Sequence, residues 1–235
     1  MWDDAALLRS LANTLYVLCA LMVLYAAAHY VAHMPTVLPL QSVRLEEKPQ
    51  RVMVSNVMKV VREEVRGNLF TSDIERVRLS LEVLPWVRKA SIRREFPNSL
   101  VIDLEEHQAL ARWNGNKLVN KYGEIFVAET TDSLPEFQGP EGTAAEVTAQ
   151  YGLYSSQLAA VDLDMALIAL SERHAWQLRL SNGVMLELGR EDMQQRLARF
   201  TRVYPYSLAA RAGKLKYVDL RYRNGFAVGG LVGQG

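Results

Sequence analysis

Between Arg9 and Arg44 the chain carries no Asp, Glu, Lys or Arg. Within that gap, Leu11 to Val31 reads LANTLYVLCALMVLYAAAHYV, close to the ~20 residues a helix needs to cross ~30 Å of hydrocarbon. Few buried helices of soluble proteins are apolar all round, and Tyr30 is well placed for the outer interface. The pattern predicts a cytoplasmic tail over 1–10, a transmembrane helix over 11–33 and a stiff linker over 34–40, where Pro35 and Pro39 oppose a helix interior. Ala26-Ala27-Ala28 offers a rival reading as a signal-peptidase site. An apolar run longer than a usual signal core, led by Asp3 and Asp4, favours an uncleaved anchor. The positive-inside rule finds only Arg9 and the terminal amine. A long folded region is translocated largely regardless of its charges, which puts the remainder outside the cytoplasm.

Beyond the linker the period of the pattern changes twice. Ser42 to Leu45 alternates weakly as a strand, and Val57, Val60, Val61 and Val65 recur at helical spacing over 56–65. Ser72-Asp-Ile-Glu75 reads as a capping box opening a second helix, with Ile74, Val77, Leu81 and Leu84 as its stripe and Pro85 as its end. Two strands follow. One runs over 86–96 with Ala90, Ile92 and Arg94 on one face; in the other, Leu100, Ile102 and Leu104 alternate with Val101, Asp103 and Glu105. Pro97-Asn98 turns between them. The order β-α-α-β-β over 41–107 is that of a POTRA domain.

From 108 to 235 hairpin signals dominate. Leu110 to Trp113 and Lys117 to Val119 flank Asn114-Gly115, a dipeptide that favours the type I′ turn. A strand is expected over 124–128, a loop over 135–142, and helices over 144–150 and part of 157–163. Trp176, Leu178 and Leu180 alternate, Asn182-Gly183 turns, and Val184, Leu186 and Leu188 return. A helix with Met193, Leu197, Phe200 and Tyr204 on one face closes at Pro205. The last strand runs from Lys216 through Leu220 into Arg221-Tyr222, and Asn224-Gly225 precedes Phe226 to Val228. The expected fold class is α+β: one N-terminal transmembrane helix, a POTRA domain and a C-terminal, mainly antiparallel β domain with flanking helices.

Composition narrows the function. With 49% hydrophobic and 23% charged residues the chain should fold along most of its length. A formal net charge of +1 argues against a nucleic-acid binder. The single cysteine, Cys19, lies in the apolar segment, so neither a disulfide framework nor a Cys-based zinc site is available. His29 and His33 stand one helical turn apart with no third ligand nearby. The motifs Ser-x-x-Lys, Gly-x-Ser-x-Gly, Gly-x4-Gly-Lys and His-Glu-x-x-His are absent. Glu105 and Glu106 beside His107 could be chosen as an acid/base pair, but they read more simply as solvated strand ends. Arg88-Lys89 and Arg93-Arg94 read first as solvation, and second as a contact for acidic partners or lipid headgroups. The expectation is a non-enzymatic protein with no cofactor, metal or small-molecule substrate.

Several motifs in order carry a resemblance. LPWVRKASIRREFPNSL (84–100) resembles the POTRA signature of the FtsQ/DivIB family of division proteins, and ALARWN (109–114) its link into the β domain. GPEG (139–142), WQL (176–178), LGR (188–190), RLARF (196–200), YVDLRY (217–222) and NGFAV (224–228) follow in sequence. The resemblance implies a divisome scaffold at the septum. It implies binding to the FtsB–FtsL pair outside the inner membrane, and through that pair control of the FtsW and FtsI peptidoglycan synthases. It implies a POTRA domain that helps recruitment and a partner caught by the last strands. Its candidate binding residues here are Arg221, Tyr222, Asn224, Gly225, Phe226 and Val228, with Arg173 as a second basic contact. One departure is Gly229-Gly230, where several members have a tryptophan soon after the final Gly. The alternative is another membrane-anchored POTRA protein that binds unfolded or extended segments in transport or secretion.

Overall fold

The computed structural model of the chain describes residues 5–32, 40–65, 68–69, 71–223 and 225–230. Helix α1 (Ala5–Ala32) occupies the charge-poor segment. Its stretch Arg9–Val31 is long and apolar enough, by length and composition, to cross a membrane, and its side chains are exposed. The helix starts at Ala5, so the predicted tail is helical from there. The linker up to Pro39, and His33, lie outside the described residues.

The chain divides into two units, Met1–Glu106 and His107–Gly235. In the first, β1 (Ser42–Leu45), α2 (Val54–Glu64), α3 (Ile74–Glu82), β2 (Val87–Glu95) and β3 (Ser99–Glu106) follow in order. The sheet runs β1-β3-β2, with β1 parallel and β2 antiparallel to the central β3. Val57, Val61, Leu69, Val77, Leu81, Leu100 and Ile102 are buried between sheet and helices. Two expectations need correction. Asp73, not Ser72, caps α3: its carboxylate accepts from the Arg76 N–H at 3.0 Å, while the buried Ser72 hydroxyl donates to the Asn68 carbonyl. Leu84 lies beyond that helix, which ends at Glu82. Val101 is buried as well as Leu100 and Ile102, so the start of β3 buries side chains on both faces.

The basic run is largely occupied within this unit. Arg88 pairs with Glu105 at 2.7 Å and Arg93 with Glu46 at 3.1 Å. Arg94 donates to the carbonyls of Leu69 and Ser72. Glu106 accepts three backbone N–H groups, from Gln50, Arg51 and Val52, at 2.9, 2.8 and 2.7 Å. One carboxylate thus closes the turn that leads into α2.

The second unit is a nine-stranded sheet in the order β12-β11-β10-β9-β8-β7-β4-β5-β6. The strands are β4 (Ala109–Trp113), β5 (Lys117–Asn120), β6 (Ile125–Phe126), β7 (Glu136–Gln138), β8 (Met165–Leu170), β9 (Trp176–Leu180), β10 (Met185–Gly189), β11 (Tyr217–Asp219) and β12 (Ala227–Gly229). Helix α4 (Ala144–Ala159) follows β7, and α5 (Met193–Val203) follows β10. Most strand pairs are antiparallel, but β7 is parallel to both β4 and β8, and β10 is parallel to β11. Leu178, Leu180, Leu186, Leu188, Val218 and Leu220 bury one face in a core shared with Val147, Tyr154 and Leu158 of α4 and Leu197 and Phe200 of α5.

The hairpin over 176–189 matches the expected alternation, with Gln177 and Arg179 exposed between buried Trp176, Leu178 and Leu180. Elsewhere the structure differs. The loop over 135–142 contains β7, a central strand with Phe137 fully buried. Strand β8 occupies a stretch for which the sequence pattern predicts no element. The two helices expected over 144–163 are one, α4, continuous through Gly152. The strand over 124–128 shrinks to Ile125–Phe126. The β4–β5 loop has three residues, 114–116, with Asn114 and Gly115 both at positive φ. Pro205 does not stop the chain's helical path: one wide turn, Tyr204–Leu208, carries it into a 3-10 segment, Ala209–Lys214.

Replacing Glu106 by Ala leaves three backbone donors without their acceptor, which costs ~1–3 kcal/mol. Glu106→Gln retains one acceptor oxygen and should recover part of that loss. Trp86, which has the Arg51 guanidinium 4.9 Å above its ring, is the fluorescent reporter for denaturant unfolding of this unit.

Candidate partner-binding edge

Strand β12 ends the sheet. Among the described residues it pairs on one side, antiparallel to β11, with Tyr217 opposite Gly229, Val218 opposite Val228 and Asp219 opposite Ala227. Its other side offers a row of backbone donors and acceptors to an added strand. Ala227 and Val228 are both exposed, so neither face of this short strand is covered deeply.

Arg221 and Tyr222 do not continue β11 as expected. The strand ends at Asp219, and both residues lie in the connection to β12. The reason is the Asp219 carboxylate. It accepts from the Arg221 backbone N–H at 3.0 Å and grips the same residue's guanidinium, through Nε at 2.9 Å and Nη2 at 2.7 Å. These three bonds fold residue 221 back onto 219 and stop the ladder. Arg221 holds the Asp219 carboxyl below its usual range, and Arg196 adds to the effect. Gly189 makes room: a Cβ there would come within 2.8 Å of Arg196 Nη1 and 3.1 Å of Arg221 Cγ.

Tyr222 is 58% exposed. With Arg223, Gly225, Phe226 and Ala227 it lines an open hollow of about 470 Å³ at the base of β12. Phe226 is partly buried against the core and anchors the hollow's floor. Asn224 lies outside the described residues. Arg173 sits in the β8–β9 turn, exposed, beside His174 at φ +55°. The registers Leu170–Trp176 and Trp176–Gly189 bring that turn to the end of the sheet where β11 finishes. Three strand spacings separate β9 from β12, about 14 Å at ~4.8 Å each. Arg173 and Tyr222 therefore share one end of the sheet without touching.

Gly230 has φ +73°, and a Cβ there would fall 2.5 Å from Lys216 Cβ. A tryptophan in this backbone conformation would be strained and would clash, so the aromatic anchor of some relatives has no place here without local rearrangement.

Outside this edge, His107 stacks on Phe126 with ring centroids 4.0 Å apart and meets Asn120 Nδ2 at 3.0 Å. Glu105 is paired with Arg88 and Glu106 with the 50–52 turn. Among the described residues no group of three His, Cys, Asp or Glu side chains could hold a metal ion.

Comparison with known proteins decides the family. Residues 38–107 match the model of the FtsQ-type POTRA domain, and residues 111–221 match that of the C-terminal part of the cell division protein FtsQ/DivIB. The chain belongs to the FtsQ/DivIB family of cell division proteins. It is 39% identical to "Cell division protein FtsQ" of Nitrosospira multiformis, covering 98% of this chain and 99% of that protein. The proteins of the same name from Burkholderia pseudomallei and Coxiella burnetii are 36% and 30% identical, over 97% and 94% of this chain and 94% and 92% of their own lengths. A match to the POTRA block alone would leave the transport alternative open; the second match, over the β-rich unit, removes it. The FtsQ/DivIB assignment gives the chain a role in the divisome.

Sequence reading missed Asp219 as the residue that shapes this edge. The available signal was the Asp219-x-Arg221 spacing, which puts a carboxylate in reach of the guanidinium only where a strand ends. The depressed pKa sets a pH window: Asp219 stabilises the folded connection above its unfolded value of ~3.9, and that contribution is lost as pH falls through the lower folded value. The Arg221 Nε–H resonance should therefore titrate at a pH below ~3.9, and Asp219→Asn should abolish the transition. A transition at or above that pH would show that the pair does not form in solution.

Proposed function

We propose that the chain is a non-enzymatic divisome scaffold that binds the FtsB–FtsL pair outside the inner membrane and helps control septal peptidoglycan synthesis through FtsW and FtsI. In this reading α1 is an uncleaved anchor with its N-terminus in the cytoplasm, and both folded units work in the periplasm at the division septum. The POTRA unit assists recruitment.

One observation carries the reading: an edge strand with its outer ladder open, flanked by an exposed tyrosine over a hollow. An extended partner segment can hydrogen-bond to β12, which supplies affinity, while side chains at alternate positions supply specificity. Tyr222 offers a large amphipathic face of the kind that dominates interface energetics. Phe226 gives the hollow an apolar floor. Arg221 acts differently from a free cation, because Asp219 already holds its guanidinium. Its part is to fix the direction in which Tyr222 leaves the sheet. Gly225 and Val228 belong to the same edge, and Asn224 and Arg173 complete the proposed contact.

The test is calorimetric titration of the full chain in neutral detergent micelles with the extracytoplasmic segment of FtsB–FtsL. Tyr222→Ala should lose ~2 kcal/mol or more of binding free energy. Binding that Tyr222→Ala leaves unchanged would move the interface away from β12. No binding by the folded native chain would sink the partner assignment itself.

A further inference from the structure

Helix α5 carries Arg196, Arg199 and Arg202 at successive three-residue steps, which keeps all three on one flank. Together with Arg223 from the β11–β12 connection, and with Asp192, Gln195 and Ala198, they line a groove of about 580 Å³. Four guanidiniums face one carboxylate, so the lining carries a surplus of three positive charges.

Two of the four are fixed in place without being neutralised. Arg196 Nη1 donates to the Leu188 carbonyl at 2.6 Å, and Arg199 Nη1 donates to the Arg223 carbonyl. A carbonyl orients a guanidinium but leaves its charge intact. Among the described residues none of the four forms an ion pair. Asp219, which feels the charge of Arg196, is already chelated by Arg221. Four like charges around one groove repel, and an anion that enters it relieves the repulsion.

We propose that this groove receives an acidic stretch, rich in Asp or Glu, of the partner whose extended segment adds to β12. The proposal rests on the preceding section only for the identity of that partner. Continuity supports a protein occupant: Arg223 lines both the groove and the hollow under Tyr222, so a chain leaving the strand edge passes directly onto the arginine flank. Arginine forks match carboxylates bidentately, and their prepositioning by carbonyls lowers the ordering cost of each contact.

The experiment uses the full chain in neutral micelles, with Arg202→Glu/Arg223→Glu as the variant. Arg202 and Arg223 are exposed, and Arg223 serves Arg199 through its main-chain carbonyl, so the variant keeps that bond. The partner segment titrated above should bind the variant about tenfold more weakly and with a flatter salt dependence. Tyr222→Ala should weaken binding while the salt dependence keeps its slope. If the variant binds with native affinity and slope while Tyr222→Ala does not, the groove proposal falls and the β12 reading stands. If the native chain does not bind that segment, hexaglutamate becomes the probe. Binding of hexaglutamate by the native chain and its loss in the variant supports an acidic occupant; no binding overturns it. Short-chain phosphatidylglycerol that binds the groove where hexaglutamate does not would replace the acidic segment with a lipid headgroup.

Discussion

The β-rich unit depends on burying one face of its sheet against α4 and α5. Leu178, Leu186, Leu188, Val218 and Leu220 point toward α4 and α5, where Val147, Leu158, Leu197 and Phe200 meet them with no exposed surface. The opposite face carries Gln177, Arg179, Glu187 and Glu136, which bond among themselves: Gln177 to Glu187 at 3.0 Å, Arg179 to Glu136 at 3.8 Å. Around Gln177 and Arg179 that face is exposed and needs no second layer. Among the described residues the sheet does not close, and β6 and β12 are its outer strands. The core that makes the unit stable thus leaves β12 at the border of the sheet, backed by β11 and β10.

Local polar contacts then decide what the edge looks like. Asp219 ends β11 by folding Arg221 back on itself, and Arg199 of α5 holds the carbonyl of Arg223. The connection is fastened at both a strand end and a helix flank, which leaves Tyr222 displayed between two fixed points. Gly189, by lacking a side chain, lets two arginines converge where any Cβ would collide with them.

Legibility followed the range of the interactions. The Trp176–Leu188 hairpin could be read because alternation and an Asn-Gly turn are both local. The same holds for α3, although Ser72 and Asp73 are both competent caps; the Ser72 hydroxyl turns back to the Asn68 carbonyl and leaves the cap to Asp73. Strand β7 was hidden because three residues between Pro135 and Gly139 carry no period, and its partners β4 and β8 lie far away in the chain. Strand β8, Met-Ala-Leu-Ile-Ala-Leu, is apolar at nearly every position and has no alternation to read. Helix α4 reads from the sequence as two shorter helices, over 144–150 and part of 157–163, yet Val147, Tyr154 and Leu158 bury one stripe across the whole of it. At the site, the family resemblance supplied Arg221 and Tyr222. The grip of Asp219 on Arg221, and the arginine flank of α5, emerged only once strand ends and a helix were placed together.

The parallel pairing of β10 with β11 has a bearing on when the docking surface exists. Parallel neighbours cannot be joined by a tight turn, and here α5 and the helical turns after it bridge them. Among the described residues β12 pairs with β11 alone, and it follows the other described elements in chain order. Long-range pairings of this kind form late, after the loop between them has been closed. An immature or damaged chain therefore presents no edge to add to. On the proposed binding mode, docking at β12 would act as proofreading, since only a molecule that has completed its fold would be counted into the assembly.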